Sequence, residues 1–133
     1  MRILFVCIIL TSICSCKQKL EEPYSFFGDH DLKNGNYKLV GIGMEGQQIN
    51  GFKNFSIDDS NTLVEMQKKW VFDHKINAMS CGFDYEIQLL KDSILINQGF
   101  VNLECGYLNT KQQKWLYFPP EYLSNYTSVF KQL

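Results

Sequence analysis

Between residues 83 and 107 the chain alternates in polarity, and that period limits the fold more than any other feature. Phe83, Tyr85, Ile87 and Leu89 are apolar, with Asp84, Glu86 and Gln88 between them. This is the pattern of a strand with one buried face, and it turns Cys81 inward as well. Past a polar break at Asp92 and Ser93, Ile94 and Ile96 put the apolar face on even positions, whereas Val101, Leu103, Cys105 and Tyr107 put it on odd ones. One extra residue must separate the two sets, and Gly99 is the expected bulge. If Asp92 and Ser93 form a two-residue loop, Lys91 faces Ile94 and Leu89 faces Ile96. Beyond the bulge Tyr85 then faces Val101, Phe83 faces Leu103, and Cys81 faces Cys105. A loop at Lys91 and Asp92 makes the two cysteines diagonal neighbours instead. Neither loop pair is Asn-Gly or Asp-Gly, so turn chemistry does not choose between them.

Other segments carry their own periods. Residues 36–44 (NYKLVGIGM) and 52–57 read as strands bounded by Gly and Asn. In DDSNTLVEMQKKWVFD the spacing of Leu63, Met66 and Trp70, widened by Val64 and Val71, predicts an amphipathic helix. Asp59 or Ser60 can cap its first amides, and the acidic pair Asp58 and Asp59 suits the positive end of its dipole. WLYF at 115–118 is a further strand, reached through a polar loop at 109–114. Pro119 and Pro120 then open a second helix with Leu123, Tyr126, Phe130 and Leu133 along one stripe. The order implies an α+β domain: an antiparallel sheet of about five strands with two helices packed on one face. The 133 residues, 45% of them hydrophobic, suit one such unit. Residues 34–133 are assigned to it. Residues 16–33, polar and broken by Pro23 and Gly28, read as a flexible tether, with Phe26 and Phe27 packing on the domain.

Met1 and Arg2 precede an eight-residue apolar run at residues 3–10, too short to cross a bilayer core and laid out as a secretory signal. Its end, Ile13-Cys14-Ser15-Cys16, resembles the lipobox of bacterial membrane lipoproteins. That resemblance implies cleavage after residue 15 and lipidation of Cys16, with residues 1–15 as the signal peptide. A plain secretory signal and an uncleaved anchor are the alternatives. The charged KQKLEE that follows resembles the export signal of surface lipoproteins in Bacteroidota, which implies an envelope location, outer membrane included, with the outer surface as one face. Asp92-Ser93-Ile94 resembles the short O-glycosylation signal of the same group, implying modification at Ser93. A chain exported in this way leaves the reducing cytosol, and there Cys81 and Cys105 are expected to form a structural disulfide.

Charge and motif content narrow the function. Lys and Arg number 13 against 14 Asp and Glu, with no basic cluster of the kind a phosphate backbone selects, so no nucleic-acid partner is expected. No paired ligand spacing recruits His30 or His74 to a metal, and no cofactor motif occurs; Gly41, Gly43 and Gly46 lack the Lys-Ser/Thr of a phosphate loop. Catalysis is not expected. His30 reads as solvated, His74 as a favourable charge near the end of the first helix, and Glu86 and Glu104 fall out of register with each other. The expectation is a non-enzymatic, membrane-anchored domain that contacts a protein, peptide or glycan. An immunity or inhibitor lipoprotein is one alternative, and an envelope hydrolase accessory subunit is the other.

Overall fold

The computed structural model describes residues 22–133. The proposed leader, Cys16 and the first part of the tether lie outside the described residues. The elements run β1 (Tyr24–Ser25), β2 (Tyr37–Gly43), β3 (Asn54–Ile57), α1 (Ser60–Lys69), β4 (Val71–Phe72), β5 (Tyr85–Lys91), β6 (Ile94–Asn102), β7 (Tyr107–Thr110), β8 (Trp115–Tyr117), α2 (Glu121–Ser124), a single 3-10 turn and β9 (Lys131–Gln132). β1 and β4 pair with each other. The other seven strands form one antiparallel sheet in the order β8-β7-β6-β5-β2-β3-β9. The expected α+β class is what the chain adopts, with more strands than the sequence suggested.

The β5–β6 hairpin turns at Asp92 and Ser93, both at positive φ (50° and 65°), the backbone sense that matches strand twist in a two-residue hairpin. Tyr85 faces Val101, as the alternation predicts, but the register shifts between Leu89 and Leu90 rather than at Gly99. Ile96 is the extra residue, and Leu89 faces Asn97. The shift turns Asn97 inward, where its amide donates to the carbonyl of Phe26 and the hydroxyl of Tyr24, both at 2.9 Å. Gly99 serves packing instead: a Cβ there would stand 2.7 Å from a methyl of Leu108.

The run from Ile94 to Tyr107 is two strands, not one. A tight turn over residues 103–106, ending at Gly106 (φ +69°), reverses the chain, so Val101 pairs with Leu108 and Asn102 with Tyr107. The last predicted helix is also shorter than its apolar stripe. α2 makes one turn, and β9 then adds to the sheet beside β3. There Phe130 stacks on Phe55 with ring centroids 4.0 Å apart. Leu133 is exposed.

α1 begins where Asp59 accepts the amide of Thr62 (2.8 Å). Hydrogen bonds from the Thr62 side chain and backbone hold the Asp59 carboxyl below its ordinary value. The helix buries Leu63 and Met66 on the sheet, and Trp70 follows it into the core. Val71, expected on the stripe, is exposed because β4 starts there and turns it outward.

The domain starts earlier than the sequence reading placed it. Residues 24–28 and Leu32 are packed rather than free, while Glu22, Pro23, residues 29–31 and Lys33 are exposed. Phe26, Phe27 and Leu32 are buried, β1 pairs with β4, and the side-chain amide of Gln67 on α1 donates to the carbonyls of Gly28 (3.0 Å) and His30 (2.9 Å). Phe26 and Phe27 each lie edge-on to Trp70, at 5.4 and 5.5 Å. The packing of Phe26 and Phe27 is as expected from the sequence, whereas the β1 pairing and the burial of Leu32 were not, because the segment follows neither a helix nor a strand period.

Phe27→Ala is therefore expected to destabilise the protein by about 3–5 kcal/mol, the cost of emptying a buried phenylalanine site. Urea unfolding measures it. A change under about 0.5 kcal/mol, normal for a surface position, would return this segment to a tether.

Candidate functional site

The sheet has one covered and one partly open face. α1, α2 and the amino-terminal segment pack against Leu39, Phe55, Ile57, Tyr85, Ile87, Leu89 and Val101. On the other face a row of residues in mutual register crosses six strands: Asn54, Ile42, Glu86, Phe100, Asn109 and Trp115. Phe83, at the end of this row, lies 5.1 Å from Phe100 and 5.9 Å from Tyr107, with its ring nearly parallel to Trp115 at 6.3 Å. Tyr107, expected on the core side, belongs to this aromatic group because the turn at 103–106 reverses its face. It is nonetheless fully buried.

Beside this row a concavity of about 630 Å³ opens between residues 42–46 and 81–86, lined by Ile42, Met44, Glu45, Phe83, Asp84 and Glu86, with Cys81 and three glycines. The volume is in the range of small-ligand sites, about 300–1,000 Å³. Ile42 and Met44 are 36% and 43% exposed, so its apolar wall is open to solvent.

Two buried polar side chains hold its shape. Asp84 is 4% exposed; one carboxylate oxygen accepts the amide of Gln47 at 2.7 Å and the other the amide of Leu103 at 2.6 Å. Its own carbonyl accepts the amide of Met44 (2.9 Å). Only glycine fits at position 46, since a Cβ there would come within 1.9 Å of an Asp84 oxygen. Asn102 donates to the carbonyls of Cys81 (3.3 Å) and Gly82 (3.1 Å) and accepts the amide of Cys105 (2.7 Å).

Cys81 and Cys105 are joined, S–S 2.00 Å and Cα–Cα 6.6 Å. They lie beyond the paired strands, in the two loops that Asn102 bridges. Cys81 is exposed, not inward-facing, because β5 begins only at Tyr85. The Tyr107 hydroxyl donates to the carbonyl of Gly82, and burial raises its pKa above the usual phenol value.

The other sequence candidates lie elsewhere. Ser93 is exposed in the turn at the opposite end of the β5–β6 hairpin. His30 stands 3.5 Å from the Tyr37 hydroxyl and His74 lies edge-on to Tyr117; neither lines the concavity. Glu86 faces Phe100, and Glu104 is in the loop after β6. Glu86 bonds the Gln88 amide (2.9 Å), and both oxygens of Asp84 are committed to backbone amides. A second hollow, of about 710 Å³ at residues 58–60 and 128–131, is larger but shallow. Its one cation, Lys131, is already paired with Asp58 at 2.8 Å, so the concavity beside Asp84 is the better candidate.

The concavity was only partly legible in the sequence. Asp84 read as an outward spacer between apolar residues, and nothing local marks it as buried; its partners, Gln47 and Leu103, come from distant segments. Compared with known proteins, the chain matches no family model, no curated protein and no solved structure.

Asp84→Ala leaves two amides without an acceptor, each costing about 1–3 kcal/mol where water is excluded. Destabilisation of about 2–4 kcal/mol is expected, with amide exchange accelerated at Gln47 and Leu103 well before the centre of β5. Uniform acceleration along β5 would show that Asp84 supports the whole sheet and not these loops.

Proposed function

We propose that this chain is a lipoprotein of the bacterial envelope whose domain acts as a non-enzymatic binding module, meeting a ligand with its open sheet face and the concavity beside it. The carrying observation is the exposed pair Ile42 and Met44 on the wall of that concavity, with the half-buried rings of Phe83 and Phe100 beside them on a sheet face that the described elements cover only in part. Binding is favoured over hydrolysis because both histidines are remote from the concavity and the carboxylate at its floor is spent on backbone amides. An inhibitor lipoprotein is the special case in which the ligand is a protein.

The anchor part of the proposal rests on the leader, Ile13-Cys14-Ser15-Cys16. Five residues lie between Cys16 and Glu22, and the six steps reach at most about 20 Å. A lipidated Cys16 would thus hold the folded body within about its own diameter of the bilayer. Multiple acyl chains make such an anchor stable. Modification at Ser93 would decorate the end of the hairpin away from the concavity.

Two measurements test the proposal in cells. Cys16→Ala should abolish incorporation of an alkyne-palmitate label and move the protein from membrane to soluble fractions; normal labelling of the variant would refute the anchor. A photo-crosslinking residue at position 42 should give discrete adducts in the intact envelope, and the same residue at exposed position 121, on the helix side, should give none. Equal adduct patterns at both positions would remove the open face as the contact surface.

A further inference from the structure

We propose that the concavity between residues 42–46 and 81–86 takes a short cationic and apolar peptide segment, with Glu45 and Glu86 meeting its ammonium or guanidinium groups while Ile42, Met44 and Phe83 receive an apolar side chain. This deepens the binding-module reading and rests on it.

Charge identifies the occupant. Three carboxylates line the concavity, Asp84 spent on backbone amides and Glu45 and Glu86 beside it, and no Lys, Arg or His is among its lining residues. Among the described residues Glu45 makes no hydrogen bond or ion pair, and the one partner of Glu86 is the neutral amide of Gln88. Both ion pairs found between described residues, Glu65 with Lys69 and Asp58 with Lys131, lie at other places on the surface. Neither glutamate is thus ion-paired within the described chain, although the stem of Lys53 passes beside Gly43 at the rim. An anionic ligand would be repelled, and a ligand that brings two positive groups would pair with both.

The walls favour a peptide over a sugar or a metal ion. Aliphatic and thioether groups, Ile42 and Met44, form the exposed apolar surface, and methionine adapts readily to side chains of different shape. The Phe83 ring, which a sugar would need for stacking, is already engaged by Phe100, Tyr107 and Trp115. A divalent cation would want more ligands than two: no group of three metal-binding side chains occurs among the described residues, and the oxygens of Asp84 are taken by Gln47 and Leu103.

The test uses the full lipidated chain in detergent and fluorescein-labelled octapeptides alternating Lys with Leu, Glu with Leu, or Lys with Ser, plus a neutral β-linked oligosaccharide. The Lys/Leu peptide should bind most tightly. Its affinity should fall as salt rises from about 20 mM to about 500 mM, where the Debye length shrinks to a few ångströms. Glu45→Gln with Glu86→Gln should weaken it about tenfold at low salt and flatten the salt dependence. Both side chains can be replaced without emptying the core, and an unchanged unfolding midpoint would confirm an intact fold. A control removing equal charge elsewhere, Asp73→Asn with Glu121→Gln, should leave the affinity unchanged. Met44→Ser should weaken the Lys/Leu peptide and not the Lys/Ser one.

Equal binding of the Glu/Leu peptide, or equal losses in the double variant and the control, would overturn the proposal. So would binding of the oligosaccharide with no peptide bound at about 1 mM, a result that leaves the binding-module reading standing. Failure of that reading registers separately, in the crosslinks at position 42.

Discussion

The ten residues of α1 and the four of α2 cannot cover seven strands, and this shortage shapes the rest of the molecule. Neighbouring strands lie about 4.8 Å apart, so the sheet is roughly 29 Å wide from first strand to last. One helix with its side chains is about 10 Å across and hides about a third of that. The remainder has to be covered by irregular chain carrying large rings. Phe26, Phe27, Trp70, Phe118 and Tyr122 form a connected aromatic group, edge-on at 5.2 to 5.6 Å. Rings suit this role because each removes a large apolar area from water while ordering few torsions. The amino-terminal segment is therefore structural, and polar groups fix it on both sides, Asn97 from the sheet and Gln67 from the helix. On the other face the loop before β5 covers one end, with Phe83 against Tyr107 and Trp115, while Ile42 and Met44 stay exposed.

Neighbouring residues on β5 and just before it connect the covered face to the open one. Asp84 and Tyr85 point to opposite sides of the sheet, and both hold the 44–53 connection between β2 and β3. Asp84 takes the amide of Gln47, and the Tyr85 hydroxyl takes the amide of Ile49 (2.8 Å) while donating to the carbonyl of Phe52. Burial raises the Tyr85 pKa above the usual phenol value, so it remains a protonated donor there. The loop that carries Met44 and Glu45 is in this way fixed from the core and from the rim together. A wall built like this is preorganised, and the proposed ligand would meet less ordering cost there.

How far the sequence could be read follows from the range of each interaction. Alternation, helix spacing and the Asp92-Ser93 turn are local, and they placed β2, β5, α1 and the facing of Tyr85 with Val101. The covalent link between Cys81 and Cys105 was expected from that register together with export from the reducing cytosol, and it forms although the loops bearing the two cysteines are unpaired. Long-range demands were invisible. The bulge at Ile96 exists because Asn97 must reach Phe26, a partner 71 positions away, and Gly99, the more obvious bulge residue, is needed small beneath Leu108. The stripe from Leu123 to Leu133 matched a helix by period alone, and Phe130 met it equally well from an extended segment stacked on Phe55. Asp84 kept the polar position of an alternating strand while serving as a buried acceptor, which spacing cannot distinguish from a solvated one.

Fold and candidate site are held by different forces, so they can fail separately. The core depends on apolar burial, which is non-directional and tolerates small adjustments of shape. The concavity depends on directional bonds at Asp84 and Asn102 and on one disulfide, which in a loop of this size contributes about 3 kcal/mol, mainly by restricting the unfolded chain. Those restraints sit in loops beyond the last core pairs, Tyr85 with Val101 and Val101 with Leu108. Releasing them frees residues 81–84 and 103–106 before it disturbs the sheet, because local opening follows the least buried contacts. Outside a reducing compartment the disulfide persists, and the concavity then keeps one shape against which a ligand can be selected.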